Sequence, residues 1–130
     1  MANKTTKKHF EIFKIEAGYW IRRFGLLDWE ISYAYGCFNN DNLAEIAVNT
    51  TARSAIIRLA KEWIDYRPIT EKAIRRYAFH EVCHLLTVTF DSSHDEWDSQ
   101  DKEIKNDSEI HGFIQRMLNA VWEVENADEK

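Results

Sequence analysis

The stretch Tyr77-Ala78-Phe79-His80-Glu81-Val82-Cys83-His84-Leu85-Leu86 decides how this chain is read. On a helix each residue advances by about 100°, so positions 80 and 84 stand one turn apart and only about 40° round. Two imidazoles on that spacing can reach one ion with metal–nitrogen bonds of about 2 Å. Glu81 lies about 60° to one side of His84. That is too far round to join the same ion easily, yet near enough to touch a water on it. With His80 at the origin, Ile74, Ala78, Phe79, Val82, Leu85 and Leu86 fill an arc of about 120° to 260°. The histidines fall just outside this arc, so the helix buries one side and carries the pair at the edge of the core. Cys83 points away from the pair and reads as a buried or boundary thiol.

Working outward, Pro68 forbids a helix running through from Tyr66, and Thr70 is a natural N-cap for a helix carrying Ala73 to Val88. Upstream, Phe10, Phe13, Ala17, Trp20, Ile21 and Phe24 recur at three- and four-residue steps, predicting an amphipathic helix that ends near Gly25. Trp29, Ile31, Tyr33 and Tyr35 then alternate with smaller or polar residues, as in a half-buried strand. Residues 37–42 form a loop rich in Asn and Asp. Residues 44–48 and 55–60 are two short strands, joined by a hairpin turn over 49–53.

Downstream, residues 91–108 carry seven carboxylates and read as a solvated connection. No register of that segment meets the needs of a calcium-binding EF-hand loop. Ile110, Phe113, Ile114, Met117, Leu118 and Val121 then define a closing amphipathic helix. Trp20, Trp29, Trp63 and Trp122 read as core or boundary aromatics. Arg76 lies near the metal face, where it can meet a carboxylate, and Tyr77 is placed to hydrogen-bond a reaction intermediate.

The whole is one α+β domain over residues 1–130, with 1–6 and 125–130 expected to fray. Its parts are an N-terminal helix, a small, mostly antiparallel sheet of about three strands, the helix carrying the His pair, and a C-terminal helix. Hydrophobic residues are 45% of the 130, with Gly 4 and Pro 1, a profile of a folded globule and not of a disordered chain. The net charge of −5 and the scattering of basic residues argue against nucleic acid as partner. There are two cysteines, too few for a disulfide framework, and no apolar run of membrane-spanning length. A cytoplasmic protein with reduced thiols is expected, in a host cell if virus-encoded, with no membrane partner.

The sequence resembles the minimal zincin metallopeptidases, especially small phage-type zincin-like proteins. Beyond the His-Glu-x-x-His element, Asp28-Trp29-Glu30-Ile31 is similar to their first strand, and Ala55-Ile56-Ile57-Arg58-Leu59 to the strand before their zinc helix. The likeness covers most of residues 10–124, with only the His-Glu-His element specific. It implies a zinc-dependent peptidase acting on a peptide or protein substrate, with His80 and His84 on Zn2+ and Glu81 as general base. It also implies that residues 55–60 are an edge strand that binds substrate by strand addition, through Ile56, Ile57 and Arg58.

A catalytic zinc needs a third protein ligand. Phe90 stands where metzincins carry their third histidine. A later histidine, His94 or His111, completes the site in SprT-like proteins, and a Glu near the start of the next helix does so in gluzincin-like ones. Glu109 is preferred here because it flanks the buried arc of the last helix, while His111 lies at the opposite flank. Asn106-Asp107-Ser108-Glu109 also has the form of a capping box, which gives Glu109 a purely structural alternative. Two other classes of function fit the same residues. One is a non-catalytic protein-interaction module stapled by zinc. The other is a regulatory or anti-defence protein of a mobile element.

Overall fold

The computed structural model describes residues 3–38, 42–63, 68–89 and 110–126. The acidic connection over 91–108 therefore lies outside the described residues.

Helix α1 (Lys7–Arg23) starts where Thr6 caps it. The Thr6 hydroxyl accepts from the His9 backbone N–H at 3.2 Å, and His9 Nδ1 accepts from the Thr6 N–H at 3.1 Å. The helix stops at Gly25, whose φ of +72° is cheap only for a residue without Cβ. There the Gly25 N–H donates back to Arg22 and the Leu26 N–H to Ile21, closing the last turn. Phe13, Ala17, Trp20 and Ile21 form its buried stripe.

Strands β2 (Glu30–Tyr35), β3 (Ala44–Asn49) and β4 (Ser54–Leu59) form one sheet in the order β2-β4-β3. β2 runs parallel to β4 and β3 antiparallel to it. The β3–β4 hairpin is set by Asn49, whose side-chain oxygen accepts from the Ala52 N–H at 3.0 Å, and by Arg53 in a left-handed conformation, φ 52°. Alternation sorts the faces: Ala55, Ile57 and Leu59 are buried, while Ile56 and Arg58 point the other way.

Two points correct the sequence reading. First, the strand expected at the edge is the central one, hydrogen-bonded on both sides, so no chain can add to it. Ile57 is fully buried and cannot touch a substrate. Arg58 is held by Glu45 at 3.8 Å and lies against the Phe38 ring at 3.9 Å. Second, a further two-stranded sheet joins β1 (Asn3–Lys4) to β5 (Glu62–Trp63), giving five strands in all among the described residues. The N-terminus is thus tied down where fraying is expected. Thr5 is buried, and its hydroxyl donates to the Ala60 carbonyl at 2.8 Å. Of the three strand pairings, two are antiparallel.

Helix α2 (Glu71–Thr89) follows Thr70, whose hydroxyl accepts from the Ala73 N–H at 3.0 Å as a cap. It crosses α1 through Trp20 and Phe79, ring centroids 4.7 Å apart, and lies over the sheet next to β3. The C-terminal helix, α3, covers residues 110–125, with Leu118–Trp122 widened to π form. Its Ile114, Leu118 and Trp122 complete the core. Glu16 of α1 accepts from both Trp20 Nε1 (2.8 Å) and Trp122 Nε1 (3.2 Å), joining α1 to α3. All four core tryptophans, Trp20, Trp29, Trp63 and Trp122, are buried. Among the described residues, no helix is long and apolar enough to cross a membrane.

Candidate metal centre

Helix periodicity sets His80 and His84 one turn apart on α2, at the half-buried rim of its apolar stripe. Their ring centroids are 4.9 Å apart. The third member comes from α3: His111 lies 5.7 Å from His80 and 5.2 Å from His84 by the same measure. One nitrogen from each ring lies within 4.8 Å of the other two, so the three can hold a metal ion. An ion with bonds of ~2.1 Å in tetrahedral array sets its ligand atoms ~3.4 Å apart, so the three rings must draw closer together to share it. Glu109 and His94 lie outside the described residues.

The protonation states suit the arrangement. Burial, and then the charge of His111, pull the His80 pKa below its usual value. A neutral imidazole with a free lone pair is the form that binds metal. Glu81 is buried, at 5% exposure, with its pKa pushed up to about 8, first by burial and then by the carboxylate of Glu45. Two thiols, Cys37 and Cys83, are neutral groups. Burial raises both Cys37 and Cys83 to about 12, with Glu45 and Glu81 adding to the effect at Cys37 and Glu81 at Cys83. Neither offers a thiolate at neutral pH.

A cleft of about 350 Å³ opens on this cluster, lined on one side by His80, Glu81, His84 and His111 and on the other by Asn42, Ala44, Glu45 and Ile46. The second wall is β3 and the residues leading into it, and β3 has an outer edge with no strand partner among the described residues. Glu45 is fixed there by the Phe38 N–H at 2.9 Å and the Asn42 amide at 3.1 Å. Sequence reasoning did not single out Glu45. Nothing local marks it, because which strand faces α2 depends on strand order. Arg76 does meet a carboxylate, that of Glu123 at 3.7 Å. Tyr77 packs edge-on against Trp63, centroids 5.3 Å apart, and lines a second cavity that also reaches His80.

The site as built is a three-histidine cluster with the buried Glu81 beside it, open to a groove along β3, whose outer edge has no strand partner among the described residues. No protein-family model matches this chain, and neither does any curated protein or solved structure.

Proposed function

We propose that this protein is a zinc-dependent hydrolase of the zincin kind that cuts peptide bonds. The observation that carries the reading is the position of Glu81, a buried carboxylate next to three histidines able to share one ion. Three imidazoles with a fourth position left to solvent are a catalytic pattern for zinc, whereas structural sites close the fourth position with protein. Zinc bound there supplies a Lewis acid and lowers the pKa of a coordinated water to about 7.

The chain's own groups supply the rest. His80, His84 and His111 hold the ion as neutral ligands. Glu81 accepts a proton at its carboxylate and returns it to the departing amine. Burial has already lifted its pKa out of the ordinary carboxylate range, and a cation beside it draws the value back down, toward the pH at which a general base works best. The edge role that the resemblance assigned to residues 55–60 passes to β3, whose outer edge borders the cleft, has no strand partner among the described residues and suits an extended peptide.

The test is metal analysis of the purified chain, offered zinc, together with cleavage of an unfolded protein. One zinc per chain and cleavage by the native protein are expected, with Glu81→Gln keeping the metal and losing cleavage. A chain that takes up no zinc defeats the reading at its root. Zinc uptake without cleavage of any peptide pool favours the metal-stapled interaction module instead.

A further inference from the structure

The second cavity, of about 470 Å³, runs from His80 toward the start of α2. On α2 its wall is the stripe Ala73, Arg76, Tyr77 and His80, residues three and four apart on one face, with Lys72 at the rim and Leu118 of α3 opposite. His80 also lines the cleft beside β3, so the two spaces meet at the metal centre from different sides. Their charges differ. The β3 side carries the carboxylates of Glu45 and Glu81, whereas the second cavity is lined by the cations Lys72 and Arg76.

We propose that this cavity is a subsite for a carboxylate-bearing residue next to the cleaved bond, a proposal that rests on the hydrolase reading above. Ala73, Tyr77 and Leu118 suit an apolar stem, and Lys72 and Arg76 suit an anionic end. Arg76 is held in place by its contact with Glu123 at 3.7 Å and its position 5.7 Å over the Trp122 ring. Its planar group is a ready partner for a second carboxylate. Lys72 has no ion-pair partner among the described residues, so its charge is available to a ligand. Lys72 and Arg76 draw an acidic group to their side, whereas the β3 side offers it Glu45, whose charge is already met by Arg58 at 3.8 Å.

A carboxylate can come from a Glu or Asp side chain or from a chain terminus, and one peptide series separates them. The zinc-supplied protein is given matched fluorogenic peptides with Glu, Gln or Leu at each position around the cut, each with a free or an amidated C-terminus. Cleavage beside Glu is expected at least tenfold faster than beside Gln if the side chain is the ligand. The same ratio between free and amidated peptides is expected if the terminus is. Lys72→Glu and Arg76→Gln should each collapse the ratio while the variants still take up zinc. Equal rates for the acidic and neutral peptides, or a preference that survives Lys72→Glu, overturn the subsite.

Binding keeps the outcome separate from the hydrolase reading. Calorimetric titration of the zinc-supplied Glu81→Gln variant with the Glu and Gln peptides needs no turnover. A preference for the Glu peptide that Lys72→Glu removes upholds the subsite even where no cleavage is seen, and equal affinities sink it.

Discussion

The His111 ring of α3 stacks on the His80 ring of α2, centroids 5.7 Å apart and planes inclined by 28°, although the two helices are joined only through the long connection after α2. The candidate metal centre is therefore a joint between α2 and α3 and not a property of α2 alone. Anything that moves α3 should be felt at the metal, and the ion in turn should hold α3 in place.

Loss of any one of the three histidines should reduce zinc affinity by more than about a hundredfold, since even groups that merely orient a ligand are worth 10–100-fold. His80→Ala, His84→Ala and His111→Ala are expected to behave alike in a chelator competition assay. Glu109→Ala is the informative contrast. If it costs only about 1 kcal/mol of folding stability and leaves affinity intact, its role is that of a helix cap. Full affinity in His111→Ala with loss in Glu109→Ala would transfer the third ligand to the carboxylate.

Metal should stabilise the fold. A ligand that binds only the native state adds about 4 kcal/mol at a thousandfold excess over its dissociation constant. Thermal melts should therefore move upward with added zinc in the native chain, and hardly at all in His111→Ala. A midpoint independent of zinc in the native chain would mean that no folded-state metal site exists.

Glu81→Gln preserves shape and removes the ability to accept a proton. Hydrolysis should fall by about a hundredfold or more at unchanged zinc content. Single-turnover cleavage at native rates by this variant rules out proton transfer through Glu81.

The metal-free protein should show an unusual pH dependence. Glu81 titrates near 4.5 when unfolded and at about 8 in the fold, so between those values the folded chain keeps a proton that the unfolded chain has released. Its contribution is fully present below the lower value and is lost as pH rises through the window. His80, with its pKa lowered from 6.5, acts in the opposite sense at lower pH, which leaves pH 6.5 to 8 as the clear interval. Across it the chelator-treated native chain should lose about 2 kcal/mol relative to Glu81→Gln in urea unfolding. Parallel curves for the two proteins would show that Glu81 is ionised in the fold.

Glu16 offers a test of the joint at a distance from the metal. Its carboxylate accepts from the indole N–H groups of Trp20 and Trp122, both fully buried. Glu16→Ala leaves two buried donors without their partner, at a cost of about 1–3 kcal/mol each. Because Trp122 anchors the helix that carries His111, zinc affinity should fall as well. Unchanged affinity in a destabilised Glu16→Ala variant would show that α3 docks through other contacts.

Much of this molecule is written in short-range pattern. The caps at Thr6 and Thr70, the stop at Gly25, the Asn49 turn and the period of each helix and strand involve residues within a few positions of one another. The same is true of His80, Glu81 and His84, since one helical turn relates them whatever surrounds the helix. α1, β2, β3, β4, α2 and the last helix were legible for that reason, as was the burial of the four core tryptophans.

What only the tertiary structure decided depends on partners far apart in the chain. A helical wheel drawn from the sequence sets His111 and Glu109 at opposite flanks of the expected apolar stripe, but does not say which flank turns toward α2. Docking through Ile114, Leu118 and Trp122 brings His111 to the pair. Likewise a strand's alternation assigns its faces and not its neighbours, so residues 55–60 read equally well at an edge or in the centre. The chain inserts β4 between β2 and β3, which buries Ile57 and leaves β3, with Glu45, on the cleft. Local backbone preference determined the elements and the pairing of His80 with His84, while the burial of apolar faces against one another determined the third histidine, the edge strand and the cavity with Lys72 and Arg76.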